Sequence, residues 1–175
     1  SSTIATNYPG LPADVRPGDT ILMDDGRLEV KVEAKGTDQV QCRVVRGGLL
    51  GERKGMNLPG VRISARGLTE KDKSDLRLGI QQQVDYVALS FVRGPDDVAQ
   101  ARDFIRAQGA DIPLIAKLEK PEALTHLEAI LDAADGVMVA RGDLAVELSL
   151  EKVPAWQKRI IRRANQKGAL VITAT

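Results

Sequence analysis

From Leu68 onward the chain repeats one pattern: a short, nearly continuous apolar run, then a helix-like stretch leading to the next run. The runs are Tyr86-Val87-Ala88-Leu89-Ser90-Phe91, Leu114 to Leu118, Val137 to Ala140 and Val171 to Ala174. Strands that are apolar on both faces must be covered on both faces, and intervening helices supply the cover. The pattern therefore predicts a parallel sheet wound through right-handed crossovers. The helices carry their own punctuation. Thr69 ahead of Glu70, Lys71 and Asp72 reads as an N-cap with acidic residues in the first turn, opening a helix of about a dozen residues. Pro95-Asp96-Asp97 opens a second, through Val98, Ala101, Phe104 and Ile105, that ends before Gly109. Leu124, Leu127, Ile130 and Leu131 share one side of a third, and a fourth runs from about Val153 to Lys167.

Two architectures fit four strands with helices between them, a closed (β/α) barrel and an open doubly wound sheet. The open sheet normally carries a glycine-rich phosphate turn after its first strand, and neither G-x-G-x-x-G nor a P-loop pattern occurs here. Polar residues instead recur at strand C-terminal ends: Ser90, Lys117 with Glu119, Asp143 and Thr175. That distribution favours the barrel. About four β/α units cannot close a barrel of eight strands. Together with a last strand that ends the chain at Val171-Ile172-Thr173-Ala174-Thr175, this leads us to expect a piece of something longer.

Residues 1 to about 63 read differently. Apolar residues alternate in twos, and Pro17-Gly18-Asp19, Asp25-Gly26, Lys35-Gly36 and Gly47-Gly48 separate short runs, an all-β signature. Leu28, Val30 and Val32 share one face with Glu29 and Lys31 opposite, and Val40 to Val44 would add another strand to the hairpin formed with Thr20 to Met23. The expected organisation is a β module over 1–63 and an α/β unit over 64–175.

Composition removes several classes of function. Lys plus Arg is 25 against 24 Asp plus Glu, so no global field points to nucleic acid or an acidic membrane. The basic run Lys158-Arg159-Ile160-Ile161-Arg162-Arg163 lacks interleaved aromatics and reads as a solvated helix face. One cysteine, Cys42, excludes an internal disulfide, and no apolar run approaches the roughly 20 residues of a membrane span. Ser1 to Thr6 shows no signal-peptide pattern, and a reducing, cytoplasmic setting is expected.

The chemistry concentrates in Ile115-Ala116-Lys117-Leu118-Glu119 and Val137-Met138-Val139-Ala140-Arg141-Gly142-Asp143, two apolar runs that end in carboxylates. Residues two apart on a strand share a face, so Lys117 and Glu119 face one space. Adjacent parallel strands lie about 4.8 Å apart, which lets Glu119 and Asp143 share a hard cation such as Mg²⁺, completed by water and a substrate oxygen. As helix-cap or loop carboxylates they would do nothing more than face water. Lys117, between Ala116 and Leu118, is either a buried charge awaiting an anion, suited to a phosphoryl or enolate oxygen, or a lysine snorkelling to the surface. Gly142 offers backbone N–H groups to a carboxylate, or serves a tight turn with positive φ. Thr175 is a hydroxyl able to relay a proton, or simply a solvated end. His126, Cys42 and Trp156 read as structural, which argues against a histidine base or a zinc cluster.

Seven ordered motifs carry a resemblance over nearly the whole chain. Asp24-Asp25-Gly26, Lys54-Gly55-Met56-Asn57-Leu58-Pro59-Gly60, Leu68-Thr69-Glu70-Lys71-Asp72, Ser90-Phe91-Val92-Arg93, Lys117-Leu118-Glu119, Met138-Val139-Ala140-Arg141-Gly142-Asp143-Leu144 and Ile172-Thr173-Ala174-Thr175 resemble the pyruvate kinase family. The resemblance implies a partial (β/α)8 TIM barrel preceded by part of a small all-β barrel that forms a mobile lid. It implies phosphoryl transfer from phosphoenolpyruvate to ADP, giving pyruvate and ATP. Lys117 would stabilise the phosphoryl-transfer transition state and the enolate, Glu119 and Asp143 would bind Mg²⁺ or Mn²⁺, and the Gly142 amide would hold the substrate carboxylate. Thr175 would act beside the enolate carbon and Lys54 would contact nucleotide phosphates. A K⁺ requirement with ligands outside this chain and a homotetrameric parent are also implied.

Two departures stand out: Lys120-Pro121 where many members have Asn-Gln or similar, and Ala145 where glycine is usual. The family's first three barrel strands, monovalent-cation ligands, phosphate-gripping arginine and C-terminal allosteric domain have no counterpart, so the isolated chain is expected to be inactive or barely active. The competing readings are a metal-enolate aldolase or lyase on the same barrel, and a non-catalytic truncated subunit.

Overall fold

The computed structural model describes residues 3–61, 63–64 and 68–175. Ser1 and Ser2, which open the stretch read for a signal peptide, lie outside the described residues. The chain divides into two compact units, Ser1–Ala65 and Arg66–Thr175.

The first unit opens with a short helix, α1 (Leu11–Asp14), and continues as strands β1 (Thr20–Met23), β2 (Leu28–Lys35), β3 (Val40–Arg46) and β4 (Met56–Asn57). They form one antiparallel sheet in the order β3-β2-β1-β4. The β1–β2 turn is built from consecutive left-handed residues, Asp24 (φ 51°), Asp25 (φ 54°) and Gly26 (φ 78°), which is the conformation short polar side chains and glycine tolerate best. Val32 turns inward to a core shared with Leu11, Val15, Ile21 and Leu58, Leu28 is buried as well, and Lys31 on the alternate face is exposed. A carboxylate closes the unit on itself: Asp14 accepts from the Ser64 backbone N–H (2.7 Å) and hydroxyl (3.1 Å), and from Tyr8 Oη.

In the second unit, α2 (Glu70–Gln81), β5 (Val87–Leu89), α3 (Pro95–Ala107), β6 (Leu114–Leu118), α4 (Pro121–Thr125), α5 (Leu127–Ala133), β7 (Gly136–Ala140), α6 (Arg141–Glu147), α7 (Val153–Gln166) and β8 (Leu170–Ala174) follow in turn. The strands form one fully parallel sheet in chain order, β5-β6-β7-β8. Alternation divides each strand between two faces. Val87, Leu89, Leu114, Ala116, Leu118, Val137, Val139 and Val171 join Val98, Ile105, Ile130 and Ile160 in a core between sheet and helices. Ala88, Ile115, Lys117, Met138 and Ile172 lie on the other face.

Local chemistry accounts for the helix bounds. Thr69 and Asp72 form a reciprocal capping box at the start of α2, the Thr69 hydroxyl accepting from the Asp72 N–H and the Asp72 carboxylate from the Thr69 N–H. Pro95 occupies the first turn of α3, and Gly109 (φ 77°) follows its end. The helix expected through Leu124 and Leu131 is broken at His126 (φ −100°, ψ 17°) into α4 and α5, although Leu124, Leu127, Ile130 and Leu131 are all buried as the periodicity required. The run ending at Phe91 stops being a strand at Leu89, because Phe91 is left-handed (φ 57°). Helix α6 starts directly from the end of β7, with Gly142 in its first turn and outside the positive-φ residues, so the tight turn considered for Gly142 is replaced by helix.

The opposite, N-terminal edge of this sheet is stapled by Asp135. Its side chain accepts from the Leu114 N–H (2.8 Å) and from Arg102 Nη2 (2.8 Å), and its backbone carbonyl accepts from Leu170 N (3.3 Å). Burial pushes the carboxyl pKa up, but the Leu114 N–H and the Arg102 guanidinium outweigh it and hold it below the usual Asp range. The folded pKa thus lies below the unfolded one, so the stabilisation is fully present above the ordinary Asp pKa and drains away as pH falls through the lowered value. Urea unfolding should lose about 1 kcal/mol or less from this source below roughly pH 4, because the pair is half exposed, and Asp135→Asn should remove that acid limb. A stronger effect is expected next door. A Cβ at Gly136 would sit 2.8 Å from both the Leu170 backbone O and Ile115 Cδ1. Gly136→Ala should therefore destabilise the unit by about 1–3 kcal/mol, measured as a fall in the urea midpoint.

Candidate active site

All four parallel strands end at one edge of the sheet, and the polar residues singled out in the sequence gather there. Leu89 and Ala116 are in register, so Ser90 and Lys117, one residue on, stand side by side, and Lys117 Nζ donates to Ser90 Oγ at 3.0 Å. Lys117 also pairs with Glu119, Nζ to Oε1 at 2.6 Å. The pairing follows from the strand: residues two apart share a face, so an ammonium and a carboxylate at 117 and 119 meet without distorting the backbone. Glu119 is only 2% exposed. Its second oxygen, Oε2, accepts the Phe91 backbone N–H at 2.8 Å, which the left-handed backbone at Phe91 turns toward it. Each oxygen of this buried carboxylate has one donor, as a charge removed from water requires.

The next two strand ends form a second group. Arg141 Nε donates to the Ala174 carbonyl at 2.7 Å, fastening the start of α6 to the end of β8. Gly142 lies so close to the chain terminus that an added Cβ would stand 3.3 Å from the Thr175 carbonyl oxygen. Gly142 and Thr175 are therefore brought together, and both are exposed, as is Asp143 in the first turn of α6, where its charge complements the helix dipole.

Lys54 belongs to the first unit, and its Nζ lies 2.8 Å from Asp24 Oδ1. The Lys54 ammonium, bonded to Asp24, holds that carboxyl below the usual range against the upward push of burial, with Arg27 adding to the effect. The two sequence motifs that supply Asp24 and Lys54 thus meet in one ion pair, supported by an Asp24 N–H bond to the Gly55 carbonyl (3.2 Å).

The contacts that the sequence did not show are the Ser90 bond to Lys117, the Phe91 amide bond to Glu119, and the buried pair between Lys120 and Glu147. A side-chain role for Ser90 was implicit in its place at a strand end. The Phe91 contact rests on a backbone conformation with no side-chain signature.

Glu119, just past the end of β6, and Asp143, in the first turn of α6, carry carboxylate oxygens of the kind that can hold Mg²⁺ or Mn²⁺ together with water and ligand oxygens. Among the described residues no three or more His, Cys, Asp or Glu side chains gather as a metal cluster. Two carboxylates are too few for an all-protein cage, so they could hold a cation only with water or ligand oxygens completing its shell. No helix of the described residues is long and apolar enough to cross a membrane.

Comparison with known proteins shows the family. A family model described as "Pyruvate kinase, barrel domain" matches residues 1–175. The chain is 50% identical over 171 residues to pyruvate kinase 2 of Synechocystis sp., covering 97% of this chain and 29% of that protein. It is 47% identical over 171 residues to pyruvate kinase of Clostridium perfringens (97% and 36%) and 49% identical over 172 residues to that of Mycobacterium tuberculosis (98% and 36%). The chain spans about a third of the length of these curated relatives.

The geometry predicts how the site tolerates change. Glu119→Leu strands the Phe91 N–H and removes the partner of Lys117, and should cost roughly 1–3 kcal/mol for the amide alone. Glu119→Gln keeps an acceptor for Phe91 and should cost measurably less. Paired urea titrations distinguish the two, and equal losses would contradict the assigned bonds.

Proposed function

We propose, from the premise that this chain belongs to the pyruvate kinase family, that it is the part of such an enzyme carrying the catalytic strand ends, and that the parent protein transfers a phosphoryl group from phosphoenolpyruvate to ADP. The observation that carries this reading is the Lys117–Glu119–Ser90 constellation at the C-terminal edge of a parallel sheet, where barrel enzymes keep their chemistry. Sequential strand order, with no reversal, supports reading the sheet as an arc of a (β/α)8 barrel. The antiparallel first unit is then the later part of a lid domain.

In this reading the Lys117 ammonium lies against the transferring phosphoryl oxygens and then against the enolate oxygen, compensating charge where it develops. Ser90 holds it in place meanwhile. Glu119 and Asp143 would hold the divalent cation, which supplies charge neutralisation and alignment of the phosphoryl oxygens when bound. The Gly142 amide orients the substrate carboxylate, and Thr175 sits beside the enolate carbon with its hydroxyl on the route of the proton. Lys54 contacts the nucleotide phosphates, exchanging or sharing its bond to Asp24 as it does so. K⁺ would be bound by residues outside this chain, and a homotetrameric parent follows from the family resemblance alone.

Little of this chemistry needs a covalent nucleophile; alignment and charge are what the residues supply. The full-length protein should form ATP from phosphoenolpyruvate and ADP in a lactate dehydrogenase-coupled assay with Mg²⁺ and K⁺. Retro-aldol cleavage without nucleotide would favour the lyase reading instead. Lys117→Met should collapse kcat by at least about 100-fold with modest change in substrate KM, and an unchanged kcat would refute the role. The 175-residue chain alone should show no turnover in the same assay.

A further inference from the structure

Beyond the residues that face the site, one charged side chain near it turns the other way. Lys120 follows Glu119 directly and precedes Pro121, which keeps it extended (φ −116°, ψ 146°). Extended backbone sends successive side chains to opposite faces, so Glu119 faces the site while Lys120 lies on the side of Leu118 and the helical layer. Lys120 Nζ there forms an ion pair with Glu147, in the last turn of α6. Both side chains are nearly sequestered, at 11% and 3% exposure. The same ammonium stands 6.0 Å from the centroid of the Phe91 ring, and the Phe91 N–H is the donor that holds Glu119 Oε2.

We propose that Lys120 and Glu147 are positioning residues for the divalent-cation site: their buried pair sets the separation between the β6 end, which carries Glu119, and α6, which carries Asp143. The inference rests on the reading of Glu119 and Asp143 as cation ligands. Removing two charges from water offsets most of their attraction, so a buried pair is a poor source of stability, and its best-attested use is to specify one arrangement over others. Here the two partners belong to exactly the two elements that must be held in register. A small hard cation with near-octahedral demands does not tolerate carboxylates at a variable distance, and outer contacts that orient its ligands commonly change affinity by 10–100-fold. Phe91 gives the ammonium a second route to the same ligand, through the ring it rests on and the amide that holds Glu119.

The test uses the full-length parent protein and Mn²⁺, with free Mn²⁺ read by electron paramagnetic resonance in the absence of substrates. Lys120→Met and Glu147→Gln should each weaken Mn²⁺ binding roughly 10-fold, and Lys120→Met combined with Glu147→Gln should weaken it no further than either alone. Lys120→Arg, which keeps the charge, should recover most of the affinity, whereas a general loss of packing would not be repaired by it. Glu119→Gln in the same titration identifies the site being read. Mn²⁺ affinity within twofold of wild type in Lys120→Met, or losses that add in the double variant, would overturn the proposal. Turnover is not used, so a protein that fails to make ATP would refute the proposed activity while leaving the Mn²⁺ titration to decide the role of Lys120.

Discussion

The alternation of sides along Leu114 to Lys120 is the constraint on which the second unit depends. Leu114, Ala116 and Leu118 enter the helical core, while Ile115, Lys117 and Glu119 occupy the opposite face. Lys120 then returns to the helical side, where it meets Glu147. A slip of one residue would exchange these sets, burying Lys117 and Glu119 among aliphatic side chains and exposing Leu118. The burial of Leu114 and Leu118, at 1% and 0% exposure, therefore does more than stabilise the strand. It holds Lys117 and Glu119 on the face where they meet Ser90 and the Phe91 amide.

Backbone proximity extends that register to the neighbouring strands. Gly136 lets Ile115 and the Leu170 carbonyl approach at the base of β7, and Gly142 lets Thr175 approach just beyond its top. Between them the β7–β8 ladder runs unbroken from Gly136 opposite Leu170 to Ala140 opposite Ala174. A sheet closed this tightly at both ends leaves little freedom in the relative height of its strand tips. In the proposed reading that height would set the geometry of the site, since positioning of groups is where much of the rate advantage of an enclosed site originates.

The sequence displayed the large elements because their signals are collective. Four apolar runs, a capping box at Thr69 and Asp72, and Pro95 before Val98 each engage several residues that agree with one another. What it concealed was decided by few residues or by distant ones. Helix α1 and strand β4 are four and two residues long, too short for periodicity to register. The break at His126 leaves the apolar spacing intact and so cannot be read from it. The turn considered for Gly142 became helix because the chain leaves β7 straight into α6, which a lone glycine does not announce. At the site, Lys117 with Glu119 was legible from spacing alone, whereas the Phe91 amide and the Lys120–Glu147 pair join residues 28 and 27 positions from their partners and depend on the sheet being assembled.

The internal pairing of Lys117 and Glu119 bears on how ligands would enter the proposed site. Each neutralises the other at 2.6 Å, so the nearly buried carboxylate is not left uncompensated. A cation arriving alone would take Glu119 and leave an ammonium beside a new positive charge. A phosphoryl group arriving alone would take Lys117 and leave a nearly buried carboxylate beside a new negative charge. Each event alone adds a like-charge contact, and at about 4 Å in a medium of effective dielectric 20 such a contact costs on the order of 4 kcal/mol. Joint arrival of cation and phosphoryl group replaces one neutral arrangement with another and avoids both costs. The ion pair would therefore discriminate against a site holding only one of the two, and couple metal binding to substrate binding through Coulomb interactions alone.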